Sequence, residues 1–97
     1  MLLRLINNSM ESNTNNRIVQ ISFDASVAGN LSGACKSVIL TTTEPCYVNF
    51  NQDTVTAANG FYLPDETILE IALSKITKIA AIKGGATAGK LTILELF

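Results

Sequence analysis

The segment GGATAGKLT, residues 84–92, carries glycines and a lysine at a spacing that could bind the phosphates of a nucleotide. In a P-loop, backbone N–H groups of a glycine-rich turn surround the phosphates, and a Ser or Thr hydroxyl after the lysine holds Mg²⁺. Here Leu91 occupies the position of that hydroxyl, and the chain continues as the strand-like KLTILELF in place of a helix. We therefore predict that residues 84–89 form a hairpin loop between two strands and have no nucleotide affinity.

Other residues that could do chemistry are few, because the 97-residue chain contains no histidine. Histidine is the commonest general base and the commonest metal ligand. Asp65 and Glu66 are adjacent, so along a strand their carboxylates point to opposite faces and do not form a catalytic pair. Asp53 with Asn49 and Asn51 lacks the spaced acidic ligands of a calcium loop. The sequence predicts no catalytic residue, no cofactor and no metal site, and hence a protein that is not an enzyme.

Cys35 and Cys46 have neither the C-x-x-C spacing nor the histidine partners of a zinc site. If residues 35–42 and 46–50 form a hairpin, Cys46 faces Thr42, and Cys35 lies roughly 23 Å away at about 3.3 Å per residue. A disulfide requires Cα atoms within about 7 Å. We expect two reduced, buried thiols that pack as small hydrophobic side chains.

The charge pattern argues against two classes of partner. Seven basic and eight acidic residues give a net charge of −1, and the basic residues form no cluster. Nucleic acids and anionic membranes attract clustered Lys and Arg. No apolar run approaches the roughly 20 residues of a membrane-spanning helix. We predict neither a nucleic-acid partner nor a membrane partner.

Alternation of apolar and polar residues predicts that most of the chain is β-structure. The segment RIVQISF places Val19, Ile21 and Phe23 on one face, and CYVNF places Val48 and Phe50 inward. The predicted core includes Val48, Phe50, Leu69, Ile71, Ile79 and Ile93. The small-residue segment 24–33 is interpreted as a loop. Turn-rich loops separate about seven short strands, which predicts an all-β domain at residues 17–97: an antiparallel β-sandwich or a jelly-roll-like barrel.

One alternative remains for residues 65–83. Their acidic start and basic end suit a helix dipole, and several apolar positions follow helical spacing. Frequent Ile and Thr, and the alternation within 69–73, favour strands instead.

Residues 1–16 differ in character from the rest of the chain, and we expect them to form a flexible N-terminal arm. Residues 7–16 are too polar to pack, whereas residues 1–6, MLLRLI, are apolar except for Arg4. We expect residues 1–6 to dock on a neighbouring subunit by adding a strand to a sheet edge. The alternative is that they fold back on their own domain or stay disordered. The apolar residues expected to make this contact are Leu2, Leu3, Leu5 and Ile6.

A second segment predicted to contact a partner protein lies immediately before Pro64. Phe61, Tyr62 and Leu63 are three consecutive apolar residues, so at least one side chain faces away from the core of its own domain. Exposed apolar side chains of this kind are frequent at interfaces.

Residues 37–97 resemble the small structural proteins of tailed bacteriophages. The resemblance lies in SVILTTTEPCYVNFN, a polar loop, FYLP, and a closing pair ITKIAAIKGG and GKLTILEL, whereas residues 1–36 depart from it. It implies a β-sandwich virion component, such as a head decoration or cement protein or a small fibre or tail protein. Such a protein acts by binding, and its partners are other copies of itself, in a homo-oligomer, and a major capsid or other virion protein. The alternative is a free-standing β-sandwich module that binds a carbohydrate or a protein.

Overall fold

The computed structural model describes residues 16–72 and 75–97, and every regular element in these ranges is a β-strand. Strands β6 and β7 occupy the region for which a helix was the alternative, so the strand interpretation is confirmed there. The eight strands are β1 (Arg17–Phe23), β2 (Val27–Asn30), β3 (Ser37–Thr42), β4 (Cys46–Phe50), β5 (Phe61–Leu63), β6 (Ile68–Ala72), β7 (Lys78–Lys83) and β8 (Gly89–Leu96).

The strands form two four-stranded antiparallel sheets, which confirms the predicted all-β sandwich. Sheet A has the order β1-β8-β3-β6, and sheet B has the order β2-β7-β4-β5. Every connection passes from one sheet to the other except the one from β4 to β5, which are neighbours in sheet B. This is the strand order of an eight-stranded jelly roll, in which two Greek keys wrap around a common core.

One strand more is present than the sequence predicted. β2 lies within the segment interpreted as a loop, and it contains the small residues Ala28 and Gly29. These residues have low strand propensity, so the strand is specified by its pairing with β7 and not by its own composition.

Both predicted hairpins are wrong. β3 pairs with β6 and β8, whereas β4 pairs with β5 and β7, so residues 43–45 connect the two sheets. Residues 84–88 likewise lead from β7 in sheet B to β8 in sheet A. Turn residues mark where a strand ends, but they do not determine its partner. A few residues are enough to cross the roughly 10 Å between packed sheets.

The core lies between the sheets and contains the inward-facing residues of both. Val48, Ile79 and Ile93 are fully buried there, as predicted. Phe50, Leu69 and Ile71 also pack against this core but remain partly exposed.

Cys35 and Cys46 are free and buried, which confirms the prediction for both thiols. The distance expected between the two thiols was estimated from a hairpin of β3 and β4. These two strands do not pair with each other, so that estimate was wrong. Cys46 Sγ nevertheless lies 3.9 Å from Thr42 Oγ1, because the connection between the sheets keeps β3 and β4 close.

The two sides of the sandwich are closed to different degrees. On one side β1 packs closely on β2, and a Cβ added to Gly29 would lie 2.9 Å from Ile21 Cδ1. The missing side chain of Gly29 therefore lets the two strands approach. On the other side β5 and β6 are the edges of their sheets, and they do not approach each other as β1 and β2 do. Inward-facing side chains on that side can reach solvent.

Candidate protein-protein interface

The short edge strand β5 presents two of the three residues predicted before Pro64. Phe61 is opposite the buried Val48 and faces inward, yet it is 37% exposed. Tyr62 lies on the outer face and is 49% exposed. Leu63 is only 1% exposed, so its side chain belongs to the core of its own sandwich and is not offered to a partner.

Four inward-facing residues line the side of the sandwich between β5 and β6. Phe50 and Phe61 lie with ring centroids 6.3 Å apart. Leu69 and Ile71 are opposite fully buried β3 residues, so they face the interior from the edge of sheet A. All four are partly exposed, and we refer to them as the open seam.

The strand edges beside the open seam also offer backbone hydrogen bonds. Among the described strands, β5 pairs only with β4, and β6 pairs only with β3. An edge strand presents N–H and C=O groups along its free side, and another chain can pair with them. Pro64 shortens the edge of β5 because it ends the strand and cannot donate a backbone hydrogen bond. β6 is five residues long and therefore offers the longer edge.

Three acidic residues lie on β6 and in the turn before it. Asp65 and Glu66 lie in the turn between β5 and β6, and Glu70 lies in the middle of β6. Within residues 16–72 and 75–97, none of these three carboxylates forms a salt bridge. Complementary charge steers partners and fixes their register, so the surface favours a partner with a positive side chain.

The loop between β4 and β5 limits the surface available on sheet B. Val55 is buried, and its N–H donates to Ser26 Oγ over 2.9 Å. The loop therefore crosses the outer face of sheet B, where the outward-facing Ala80 is also fully buried. Asn49 Nδ2 donates to the Asn59 carbonyl oxygen over 3.0 Å and fixes the returning end of the loop.

The exposed part of this face carries a pair of tyrosines. Tyr47 and Tyr62 are cross-strand partners with ring centroids 5.3 Å apart and planes inclined by 58°. Such a tilted pair supplies apolar area together with two hydroxyl groups, a combination that is frequent at interfaces.

A buried carboxylate lies at the opposite side of the sandwich. Glu95 is fully buried, accepts a hydrogen bond from Arg17 Nη1 at 2.9 Å, and accepts another from the Ser32 N–H at 2.8 Å. Burial, followed by the charge of Glu95, raises the pKa of the Cys35 thiol. Glu95 joins the first strand, the last strand and the loop after β2, which indicates a structural role.

The glycine-rich segment does not have the geometry of a P-loop. Gly89 and Lys90 already belong to β8, and no helix follows them within the described residues. The Lys90 N–H donates to Thr43 Oγ1 over 2.9 Å, and the Lys90 carbonyl oxygen accepts from the Thr43 N–H over 3.0 Å. The backbone groups of Lys90 are therefore engaged by the connection between β3 and β4.

The apolar candidates Leu2, Leu3, Leu5 and Ile6 lie outside the described residues. The sequence did not identify Phe50, Leu69 and Ile71 as accessible residues. Alternation correctly indicated that they face inward. Their exposure arises from their place beside the free edges of the two sheets, and a single sequence contains no direct signal for that place.

No protein-family model, no curated protein and no solved structure matches this chain. Across residues 16–72 and 75–97, no group of three or more Cys, Asp or Glu side chains is arranged to hold a metal ion. The same ranges contain no helix that is long and apolar enough to cross a membrane.

Proposed function

We propose that the chain is a structural protein of a bacteriophage particle, specifically a capsid decoration or cement protein that stabilises the shell by protein–protein contacts. The observation that carries the proposal is the open seam, an accessible apolar surface beside the free edges of two strands. Aromatic side chains that become buried on binding commonly supply much of the binding energy at interfaces. Phe61 in the open seam and its neighbour Tyr62 are exposed aromatic side chains of this kind.

Two further observations support the proposal. The resemblance of residues 37–97 implies a virion component. Jelly rolls also occur in viral capsid domains, although lectins and cupins share the fold, so the fold alone does not decide the function.

The size of the surface indicates how the chain would act. A stable interface buries about 800 Å² on each partner. Four residues of the open seam and Tyr62 cover less than that, so additional residues must contribute. Residues 1–6 are a second apolar group, and a cement protein needs at least two contacts because it must join neighbouring subunits of a shell.

Mass spectrometry of purified phage particles tests the proposed role. Particles from the phage that encodes the chain should contain it in many copies after density-gradient purification, and washing at moderate salt should not remove it. Its absence from intact particles, when it is plentiful in the infected cell, would contradict a virion role.

The second candidate is a free-standing module that binds carbohydrate, and the exposed tyrosine pair favours it. Aromatic rings contact the apolar faces of sugars, and the hydroxyl groups of Tyr47 and Tyr62 supply hydrogen-bonding groups on the same face. Binding of the purified chain to a glycan array, lost in Tyr62→Ala, would favour this candidate over the virion role.

A further inference from the structure

We propose that residues 1–6 of one copy bind as an added strand along the free edge of β6 in a second copy, with Arg4 opposite Glu70. The inference rests on the assembly role proposed above, and it names the partner of the open seam as another copy of this chain.

The acceptor is β6 because it is the longer of the two edges beside the open seam. Glu70 lies on the outer face of sheet A, opposite the buried Ile39, and its neighbours Leu69 and Ile71 face the interior. A strand added to this edge would have one face over the open seam and the other beside Glu70, since side chains alternate along a strand.

The segment Leu3-Arg4-Leu5 has the pattern that this edge requires. When Arg4 is opposite Glu70, Leu3 and Leu5 come beside Leu69 and Ile71 and cover apolar surface of the open seam. A shift by one residue would place Arg4 over that apolar surface and the two leucines on the outer face, which disfavours it. The pattern is symmetric about Arg4, so parallel and antiparallel pairing give the same match.

Charge supports the same register. Within the described ranges Glu70 has no salt-bridge partner, and Arg4 is the single charged residue of the segment MLLRLI. Opposite charges on directly paired residues stabilise a sheet, whereas like charges destabilise it.

The proposed assembly role favours a second copy as the partner. Asn16 leads directly into β1, and β1 and β6 are the two opposite edges of sheet A. The β6 edge of the same chain lies about 14 Å from β1, and residues 7–16 span roughly 16–19 Å on average, so the segment can reach either its own β6 or the β6 of a neighbouring copy beside β1. Only the contact with a neighbouring copy joins two subunits, which is what the assembly role requires. This head-to-tail contact would build a ring or a filament.

A disulfide between two different variants tests the partner directly. Arg4→Cys and Glu70→Cys are made in separate full-length chains, mixed and oxidised; Cβ atoms of directly paired residues lie about 4.5–5.5 Å apart, close enough to bond after a small adjustment. We expect a cross-linked dimer that contains one copy of each variant. Asp65→Cys in place of Glu70→Cys is the matched control and should give little cross-linking, as should the unsubstituted chain, whose two thiols are buried.

The mixture remaining monomeric would overturn the proposal. An internal disulfide in the Arg4→Cys/Glu70→Cys double variant, without the mixed dimer, would show that the segment docks on its own sandwich and would overturn it as well.

Charge reversal gives an independent readout. Arg4→Glu and Glu70→Arg should each weaken self-association by about tenfold, and the double reversal should restore it. Asp65→Arg changes the charge equally but lies outside the strand, and should have little effect. Failure of the double reversal to restore association would contradict the register.

The cross-linking experiment and the analysis of particles test the two proposals separately. If the chain forms the mixed cross-linked dimer but is absent from phage particles, only the virion role is refuted. If the chain is present in particles but does not form the mixed dimer, only the docking of residues 1–6 on β6 is refuted.

Discussion

Arg17 at the start of β1 and Glu95 near the end of β8 are cross-strand partners joined by a salt bridge, with 2.9 Å between Arg17 Nη1 and Glu95 Oε2. The carboxylate is fully buried, whereas the arginine side chain is about half exposed. The second carboxylate oxygen accepts the Ser32 N–H. Glu95 thus holds β1 and the loop after β2 against β8, the strand to which it belongs.

Glu95→Ala should therefore destabilise the fold through lost hydrogen bonds. The Ser32 N–H and the Arg17 guanidinium would both lose a charged acceptor in this part-buried site, and the free energy of unfolding should fall by about 1–3 kcal/mol. Glu95→Gln keeps an acceptor oxygen and should cost less. Urea denaturation measures both, and an unchanged midpoint for Glu95→Ala would contradict the structural role of the carboxylate.

The two thiols should be poorly reactive, and their ionisation should affect stability at high pH. Burial raises the pKa of the Cys46 thiol, with a smaller opposing effect from the Thr42 hydrogen bond. Burial and then the charge of Glu95 raise the pKa of Cys35. Because the folded state favours the neutral thiols, their contribution is fully present below the unfolded pKa, about 8.5. It should be lost as the pH rises from there through the raised folded pKa.

Alkylation and denaturation across this pH range check the thiol prediction. The folded chain should resist iodoacetamide at pH 7.5, and its stability should fall as the pH rises above about 8.5. Cys46→Ala should show a smaller fall in stability over the same pH range. This variant also serves as the control for the titration of lysine and tyrosine side chains. Rapid labelling of both thiols in the folded chain, or an equal fall in Cys46→Ala, would count against it.

Two glycines should respond differently to substitution by alanine. A Cβ at Gly60 would lie 2.5 Å from Val55 Cγ2, so Gly60→Ala should displace the loop from the outer face of sheet B and cost about 1–3 kcal/mol. A Cβ at Gly85 meets nothing within 4 Å, so Gly85→Ala should leave stability unchanged or raise it slightly. Thermal melting distinguishes the variants, and equal melting temperatures would mean that the loop is not packed as described.

Position within the sandwich should decide the cost of core substitutions. Ile93 is fully buried, so Ile93→Ala should cost about 2–5 kcal/mol. Replacing a fully buried Phe by Ala lowers the free energy of unfolding by about 3–5 kcal/mol. Phe50 is partly exposed at the open seam, so Phe50→Ala should lower it by less. A loss for Phe50→Ala greater than that for Ile93→Ala would show that the open seam is closed in solution.

Alternation was sufficient to predict strand type and inward-facing residues, because the pleat imposes a period of two on any half-buried strand. Ile21, Phe23 and Val48 were identified in this way. β2 was not, because Ala28 and Gly29 carry no strand signal and owe their conformation to β7.

Strand pairing was harder to predict than strand type. Residues 43–45 and 84–88 look like hairpin turns, yet both connect different sheets. The same limit applies to the candidate site: the exposure of Leu69 and Ile71 depends on which strands end the sheets, a property of the whole topology. Phe61 and Tyr62 were easier to find, because consecutive apolar residues in a strand place side chains on both faces.

Light scattering on the full-length chain and on a chain lacking residues 1–16 tests most directly whether this protein works by assembly through its N-terminal segment. The full-length chain should form a defined oligomer, and the shortened chain should be monomeric with an unchanged melting temperature, because the described strands begin at Arg17. If the shortened chain assembles as well as the full-length one, residues 1–6 are not the connector, and the contact must lie elsewhere, with Phe61 and Tyr62 as the next candidates.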